Sequence, residues 1–210
     1  DAIINYLSSI EITFYHFIFY GLPAYLFVPI FLLIKGDLKR HVKCNNYWPP
    51  IIRGLIFTPM PFTTFISLKN ITLPEFTTLN MAAPLIGSIY AFFVLKEKLN
   101  SYIYTSLVIG FLGVLFVIQP GFETFNIYFL VVLFSVLLIT TTTTIVNKYN
   151  NATSTLGYFI YGGIFIHLIS IILFILDPIK VNFIQFILIT SASILINIAI
   201  FLATFAFKKA

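Results

Sequence analysis

Seven apolar runs of 18 to 25 residues, separated by short polar breaks, constrain this chain more than any other feature of its sequence. A helix needs about 20 apolar residues to cross the ~30 Å hydrocarbon core of a bilayer. A strand of a membrane barrel needs only about ten, alternating polar and apolar. The runs show no such alternation, so they read as transmembrane helices. Composition closes the soluble alternative. Hydrophobic residues make up 60% of the chain and charged residues 9%, whereas a soluble domain carries about 25% charged residues. Too few polar side chains exist to cover a water-facing surface. The expected fold class is an all-α integral membrane bundle, with about seven transmembrane helices seen.

The spans are expected at about 11–34, 49–68, 75–95, 101–118, 125–146, 155–176 and 183–207. Residues 1–10 read as a stub outside the membrane or the end of a further helix. Most breaks have a local cause. Pro120-Gly121 and Asp177-Pro178 stop a helix, because proline lacks the N–H and clashes with the preceding turn. Asn45-Asn46 and Asn150-Asn151 favour turns, since their side chains compete for backbone groups. The short loops make antiparallel neighbours.

Basic residues set the orientation. Lys35, Lys39, Arg40, Lys43, Arg53, Lys96, Lys98, Lys148, Lys208 and Lys209 lie on one side, and only Lys69 and Lys180 on the other. That split places the first group in the cytoplasm. It also explains the net charge of +5 as topology rather than as a nucleic-acid surface, so no nucleic-acid partner is expected. Tyr47, Trp48, Tyr102, Tyr104, Tyr128 and Tyr149 fall near the interfaces, where an amphipathic ring is at ease. The single cysteine, Cys44, excludes an internal disulfide and argues against a cysteine-based metal site. No cofactor is expected. The chain begins with Asp1, and its first residues do not read as a signal peptide with a basic start and a small-residue cleavage site. Both ends read as cut.

Polar groups inside a membrane are costly, so each needs an account. Asn80 sits one turn before Pro84, which frees the Asn80 carbonyl; both could line a cavity, or the amide could bond a neighbouring helix. Thr140 to Thr144 offer hydroxyls around one helix, although threonine readily bonds its own preceding turn. His167 is near mid-membrane, as a proton relay or a neutral, hydrogen-bonded histidine. His16 lies nearer the outer surface, as a gate or headgroup contact. Asn197 lies mid-helix after Ser191 and Ser193. Arg53 and Glu97 read as anchors or structural ion pairs at cytoplasmic ends. Gly110 with Gly113, and Gly162 with Gly163, permit close helix packing. Asn80, Thr142 and Asn197 are the leading candidates for a substrate-binding cavity, with His16 and His167 behind them.

Two segments echo one another. Phe17 to Gly21 resembles Tyr158 to Gly162, and Thr64 to Lys69 resembles Thr204 to Lys209, at offsets of 141 and 140. The echo pairs the first span with the sixth and the second with the seventh. Each pair crosses the membrane in opposite directions, as in inverted-topology repeats.

Several stretches carry a family resemblance: Glu11-Ile-Thr-Phe-Tyr-His-Phe17, Arg53-Gly54-Leu55, Leu68-Lys69-Asn70 running to Pro74-Glu75-Phe76-Thr77-Thr78, Ala83-Pro84-Leu85 before Leu95-Lys96-Glu97-Lys98-Leu99, and Gly110 to Gly113 before Gln119-Pro120-Gly121. In this order they resemble the EamA-type branch of the drug/metabolite transporter superfamily. The resemblance implies a ten-helix bundle of two inverted five-helix repeats. Residues 1–121 would then be a first repeat lacking its first helix, and 122–210 a second lacking its last two. It also implies movement of a small-molecule substrate across a bacterial inner membrane, among such substrates as amino acids, nucleotide-like metabolites and S-adenosylmethionine. The family commonly has arginine where this chain has His16.

The expected function is therefore a secondary transporter of a small metabolite, multi-pass in the inner membrane and in contact with the lipid bilayer. S-adenosylmethionine or an amino-acid-like solute is the expected cargo. A membrane-embedded enzyme is disfavoured, because the seven acids are scattered and the three histidines far apart, where such chemistry needs clusters. A non-functional truncated remnant is the other alternative. Oligomeric state is not legible, and a homodimer is left open.

Overall fold

The computed structural model of the chain describes residues 2–10, 12–96, 100–118 and 126–209. Among these residues it is an all-helical bundle without strands; an isolated antiparallel bridge joins Cys44 and Thr153. The first expected span is two helices, α2 (Phe14–Tyr20) and α3 (Leu22–Ile34), preceded by α1 (Ala2–Ser9). A short α4 (Leu38–His41) follows. The second span is α5 (Trp48–Phe57) and α6 (Met60–Asn70), and the third is α7 (Leu73–Asn80) and α8 (Ala83–Phe93). The remaining spans are continuous: α9 (Ser101–Ile118), α10 (Tyr128–Lys148), α11 (Thr155–Leu176) and α12 (Phe183–Lys209). Among the described residues, six segments are long and apolar enough to cross a membrane, and a further apolar helix is described over Ser101–Phe116. The expected Pro120-Gly121 turn, Glu97 and the boundary between the two expected repeats lie outside the described residues.

Proline explains each of the three interruptions. Pro23 follows the Gly21 joint, Pro59 and Pro61 flank the start of α6, and Pro84 follows the joint at Met81 and Ala82. Each deprives the carbonyl four residues earlier of a donor and crowds it. At Pro84 that carbonyl belongs to Asn80. A residue pattern legible as a capping box opens α7: the Thr72 main-chain N–H donates to Glu75 Oε2 at 2.8 Å, while the Glu75 N–H faces Thr72 Oγ1 at 3.5 Å.

The two ends of the bundle are tied separately. On the basic side, the Asn45 N–H donates to the Ala152 carbonyl at 2.8 Å, Thr153 Oγ1 to the Lys43 carbonyl at 3.1 Å, and Lys208 Nζ to the Thr153 carbonyl at 2.6 Å. The loops before α5 and α11 and the end of α12 therefore share one face, and the positive-inside rule assigns it to the cytoplasm. On the opposite face, Asn5 Nδ2 donates to the Leu68 carbonyl at 3.0 Å and Tyr20 Oη to the Ile179 carbonyl at 2.7 Å.

The apolar core is concentrated toward that outer face. Leu7, Phe17, Leu68, Leu79, Val132, Val136 and Ile189 form one buried cluster, drawn from the outer ends of their helices. The expected stub is thus the helix α1, with Leu7 fully buried. A smaller cluster of Val146, Ala152 and Tyr158 lies toward the basic face. Large apolar side chains such as Phe27, Ile34, Phe116 and Leu176 are exposed around the perimeter, as suits contact with lipid rather than water.

Candidate functional site

Arg53 is the residue that the fold places most unexpectedly. Its position six residues into an apolar run suggests a side chain reaching back to the interface. Instead it is only 6% exposed, inside the bundle. Its Nη1 donates to the Tyr158 carbonyl of α11 at 2.6 Å, and its Nη2 to Thr204 Oγ1 of α12 at 3.0 Å. Thr204 in turn donates to the Ile200 carbonyl at 2.6 Å, so its oxygen is held ready to accept. The expected ion pair is not formed: among the described residues no carboxylate meets the guanidinium. Its Nε is buried without a hydrogen-bond partner among the described residues. A charge inside a membrane span is costly even off the midplane, so such a group marks a candidate functional position by default.

Glycines make room for it. A β-carbon on Gly162 would lie 2.7 Å from Arg53 Nη1, and one on Gly163 would lie 2.6 Å from the Tyr25 ring. The close packing expected of Gly162 and Gly163 is what the structure contains. Gly110 likewise sits tight against Leu85, whereas Gly113 faces open space, so close packing does not account for that second residue.

A cavity of about 40 Å³ is lined by Arg53 together with Tyr25, Phe159, His167 and Asn197. Two of the residues expected to bind substrate, His167 and Asn197, are therefore brought together. His167 Nδ1 donates to the Gly163 carbonyl at 2.7 Å, and its ring stacks on Tyr25 at 3.9 Å between centroids. Asn197 Nδ2 donates to the Ser193 carbonyl at 2.8 Å.

The other three expected residues lie elsewhere. Asn80 Nδ2 bonds the Phe76 carbonyl of its own helix at 2.9 Å, and Asn80 is absent from the cavity walls. Thr142 is 2% exposed, and its hydroxyl donates to the Ile139 carbonyl at 2.8 Å. Every hydroxyl of the Thr140–Thr144 run donates to a carbonyl three or four residues back. Thr141 also reaches Tyr90 Oη at 3.0 Å. His16, 2% exposed, is a structural knot on the outer face. Its Nδ1 accepts from the Thr13 N–H at 3.3 Å, so its Nε2 carries the hydrogen donated to the Asp177 carbonyl at 2.7 Å. Beside it, the Tyr15 hydroxyl bonds the Asp177 carboxylate.

Sequence reasoning missed Arg53 as a site residue. The available signals were a fixed charge inside an apolar run and the adjacent Gly54. Gly54 packs so tightly that a β-carbon there would meet the Tyr161 carbonyl at 3.0 Å. Among the described residues, no group of three histidines, cysteines or acids could hold a metal ion.

Residues 1–119 match the family model of the EamA-like transporter family. The chain is also 25% identical, over 167 residues, to the S-adenosylmethionine uptake transporter of Rickettsia prowazekii (strain Madrid E); the alignment covers 79% of this chain and 54% of that relative. The chain spans about half the length of the curated relative it matches. No solved structure matches the chain.

Proposed function

Because this chain belongs to the EamA-like transporter family, we propose that it serves as a secondary transporter, carrying a small metabolite across a bacterial inner membrane. The observation that carries the reading is a small cavity, mostly apolar in its walls, on which Arg53, His167 and Asn197 converge from three different spans. Such a convergence, with discontinuous helices nearby, is what inverted-repeat carriers use to hold a solute within the membrane. S-adenosylmethionine, the solute in the name of the Rickettsia relative, and other amino-acid-like solutes are the proposed cargo.

The proposed architecture is two inverted repeats, 1–121 and 122–210, within a ten-helix bundle. The span pairs matched by the sequence echo touch one another, which supports it. Phe19 of α2 stacks on Phe174 of α11 at 3.7 Å, and Arg53 of α5 bonds Thr204 of α12.

Uptake of radiolabelled S-adenosylmethionine, amino acids and nucleotides into bacterial cells expressing the protein tests the reading. Saturable accumulation of one compound, absent from cells with an empty vector, is the expected result. No accumulation at good membrane expression, combined with no export from preloaded vesicles, would remove the transporter reading.

A further inference from the structure

We infer that Arg53 is the solute's carboxylate anchor, and that the cavity beside it receives the carboxylate end of an amino-acid-like substrate. The inference rests on the transporter reading above and narrows it to a chemical class.

Three observations carry it. The guanidinium is buried among helices, yet no carboxylate among the described residues neutralises it. Burying a lone charge is expensive, and the cost is recovered when an opposite charge arrives with matching hydrogen bonds. Second, its hydrogen bonding is incomplete in a specific way. Tyr158 and Thr204 take one N–H each of Nη1 and Nη2, while Nε, itself buried, has no partner among the described residues. Nε belongs to the side-on edge of the guanidinium, which grips a carboxylate through two parallel bonds. Third, the adjoining cavity has about 40 Å³. That holds a water molecule or two, or a group of carboxylate size, and is far too small for a whole metabolite. The remainder of the solute must extend beyond these walls.

The lining also suits a zwitterion. Among the described residues on the cavity walls Arg53 is the lone acid–base group of fixed charge; Tyr25, Phe57 and Phe159 supply aromatic surface. Aromatic faces attract ammonium and sulfonium groups, while the guanidinium takes the anion.

A purely structural role for Arg53, stapling α5 to α11 and α12, predicts a different outcome. A staple affects stability and is indifferent to the ligand's carboxylate. The test therefore uses ligand pairs that differ only in that group: S-adenosylmethionine against decarboxylated S-adenosylmethionine, and L-methionine against 3-methylthiopropylamine. Binding to the purified protein in nanodiscs is measured by calorimetry, alongside uptake in cells, for the native protein and for Arg53→Lys and Arg53→Gln.

The native protein should bind the carboxylated member of a pair roughly tenfold or more tightly, the scale of one charge-assisted hydrogen bond. Arg53→Gln should bring the ratio close to one. Arg53→Lys, which keeps the charge but loses the planar fork, should fall between and guards against a glutamine variant that does not fold. A ratio near one in the native protein overturns the anchor whatever the variants do, and so does a ratio unchanged in Arg53→Lys. Uptake without carboxylate discrimination sinks the anchor and leaves transport standing. Discrimination in binding without any transport supports the anchor and sinks the transport reading.

Discussion

Gly21 and Ser193 stand so close that a β-carbon on Gly21 would lie 2.2 Å from Ser193 Oγ. Gly21 is the joint between α2 and α3, and Ser193 belongs to α12. The first and last described spans therefore meet at a point with no spare volume. Gly21→Ala should destabilise the bundle by about 1–3 kcal/mol, the usual cost of overpacking a filled site. Thermal unfolding in detergent is the measurement. Gly21→Ala combined with Ser193→Gly should recover most of the loss, and a double variant as unstable as the single one would show that the contact is not the cause.

Gly162→Ala tests the site through a single contact. The new methyl group would meet Arg53 Nη1 at 2.7 Å, the far end of a side chain that must shift and give up its bond to the Tyr158 carbonyl. Losing that buried, charge-assisted bond should cost about 1–3 kcal/mol, read as a lower melting temperature in detergent, and under the proposed site uptake should fall by roughly tenfold, the value of about 1.4 kcal/mol. Equal uptake in the variant and the native protein would place transport away from this guanidinium.

His16 and Asp177 should respond unequally, although they lie side by side. His16 is buried and bonded at both ring nitrogens, so His16→Ala should cost about 1–3 kcal/mol through an orphaned N–H and carbonyl. The Asp177 side chain is 69% exposed and 3.9 Å from His16 Nε2, whose bond goes to the main-chain carbonyl. Asp177→Asn should cost less than about 1 kcal/mol. Chemical denaturation of the two variants checks the order, and a larger loss for Asp177→Asn would mean that the carboxylate holds the knot.

Asn197→Ala and Asn80→Ala separate two asparagines that look alike in sequence. Asn197 borders the Arg53 cavity, whereas Asn80 does not. Under the proposed site, Asn197→Ala should reduce uptake several-fold and Asn80→Ala by less than about twofold, because the Asn80 amide bonds only the Phe76 carbonyl of its own helix. Uptake at matched membrane expression decides between them; the reverse order would move the cavity to the joint at Pro84.

Much of the bundle is legible in the amino-acid sequence. Apolar length locates the spans, because a bilayer demands it of a helix regardless of tertiary context. The Lys/Arg count separates the two faces, which the Lys208–Thr153 and Asn5–Leu68 bonds occupy separately. Pro84, Pro23 and Pro59 mark the three joints, but proline chemistry alone does not separate them from Pro29, which sits inside the continuous α3. The site is harder to read. Whether a polar group in a membrane is spent locally depends on its rotamer, and Thr142 is satisfied three residues back. Arg53 is defined by partners 105 and 151 residues away, so its local signals, a charge inside an apolar run and the adjacent Gly54, do not by themselves name what it bonds.

The joints are distributed unevenly. All three lie between residues 14 and 93, while α10, α11 and α12 run unbroken for 21, 22 and 27 residues. An unbroken helix resists bending along its whole length, because any bend must strain its hydrogen-bond ladder. A proline joint has already surrendered a rung there. Mechanically, the described bundle is a set of stiff posts faced by articulated arms, with Arg53 on an arm and both of its hydrogen-bond acceptors on posts. Any flexing of the second span at Thr58 and Pro59 then changes how far the guanidinium must reach to the Tyr158 carbonyl and the Thr204 hydroxyl, so the tilt of that arm is felt first at these two bonds.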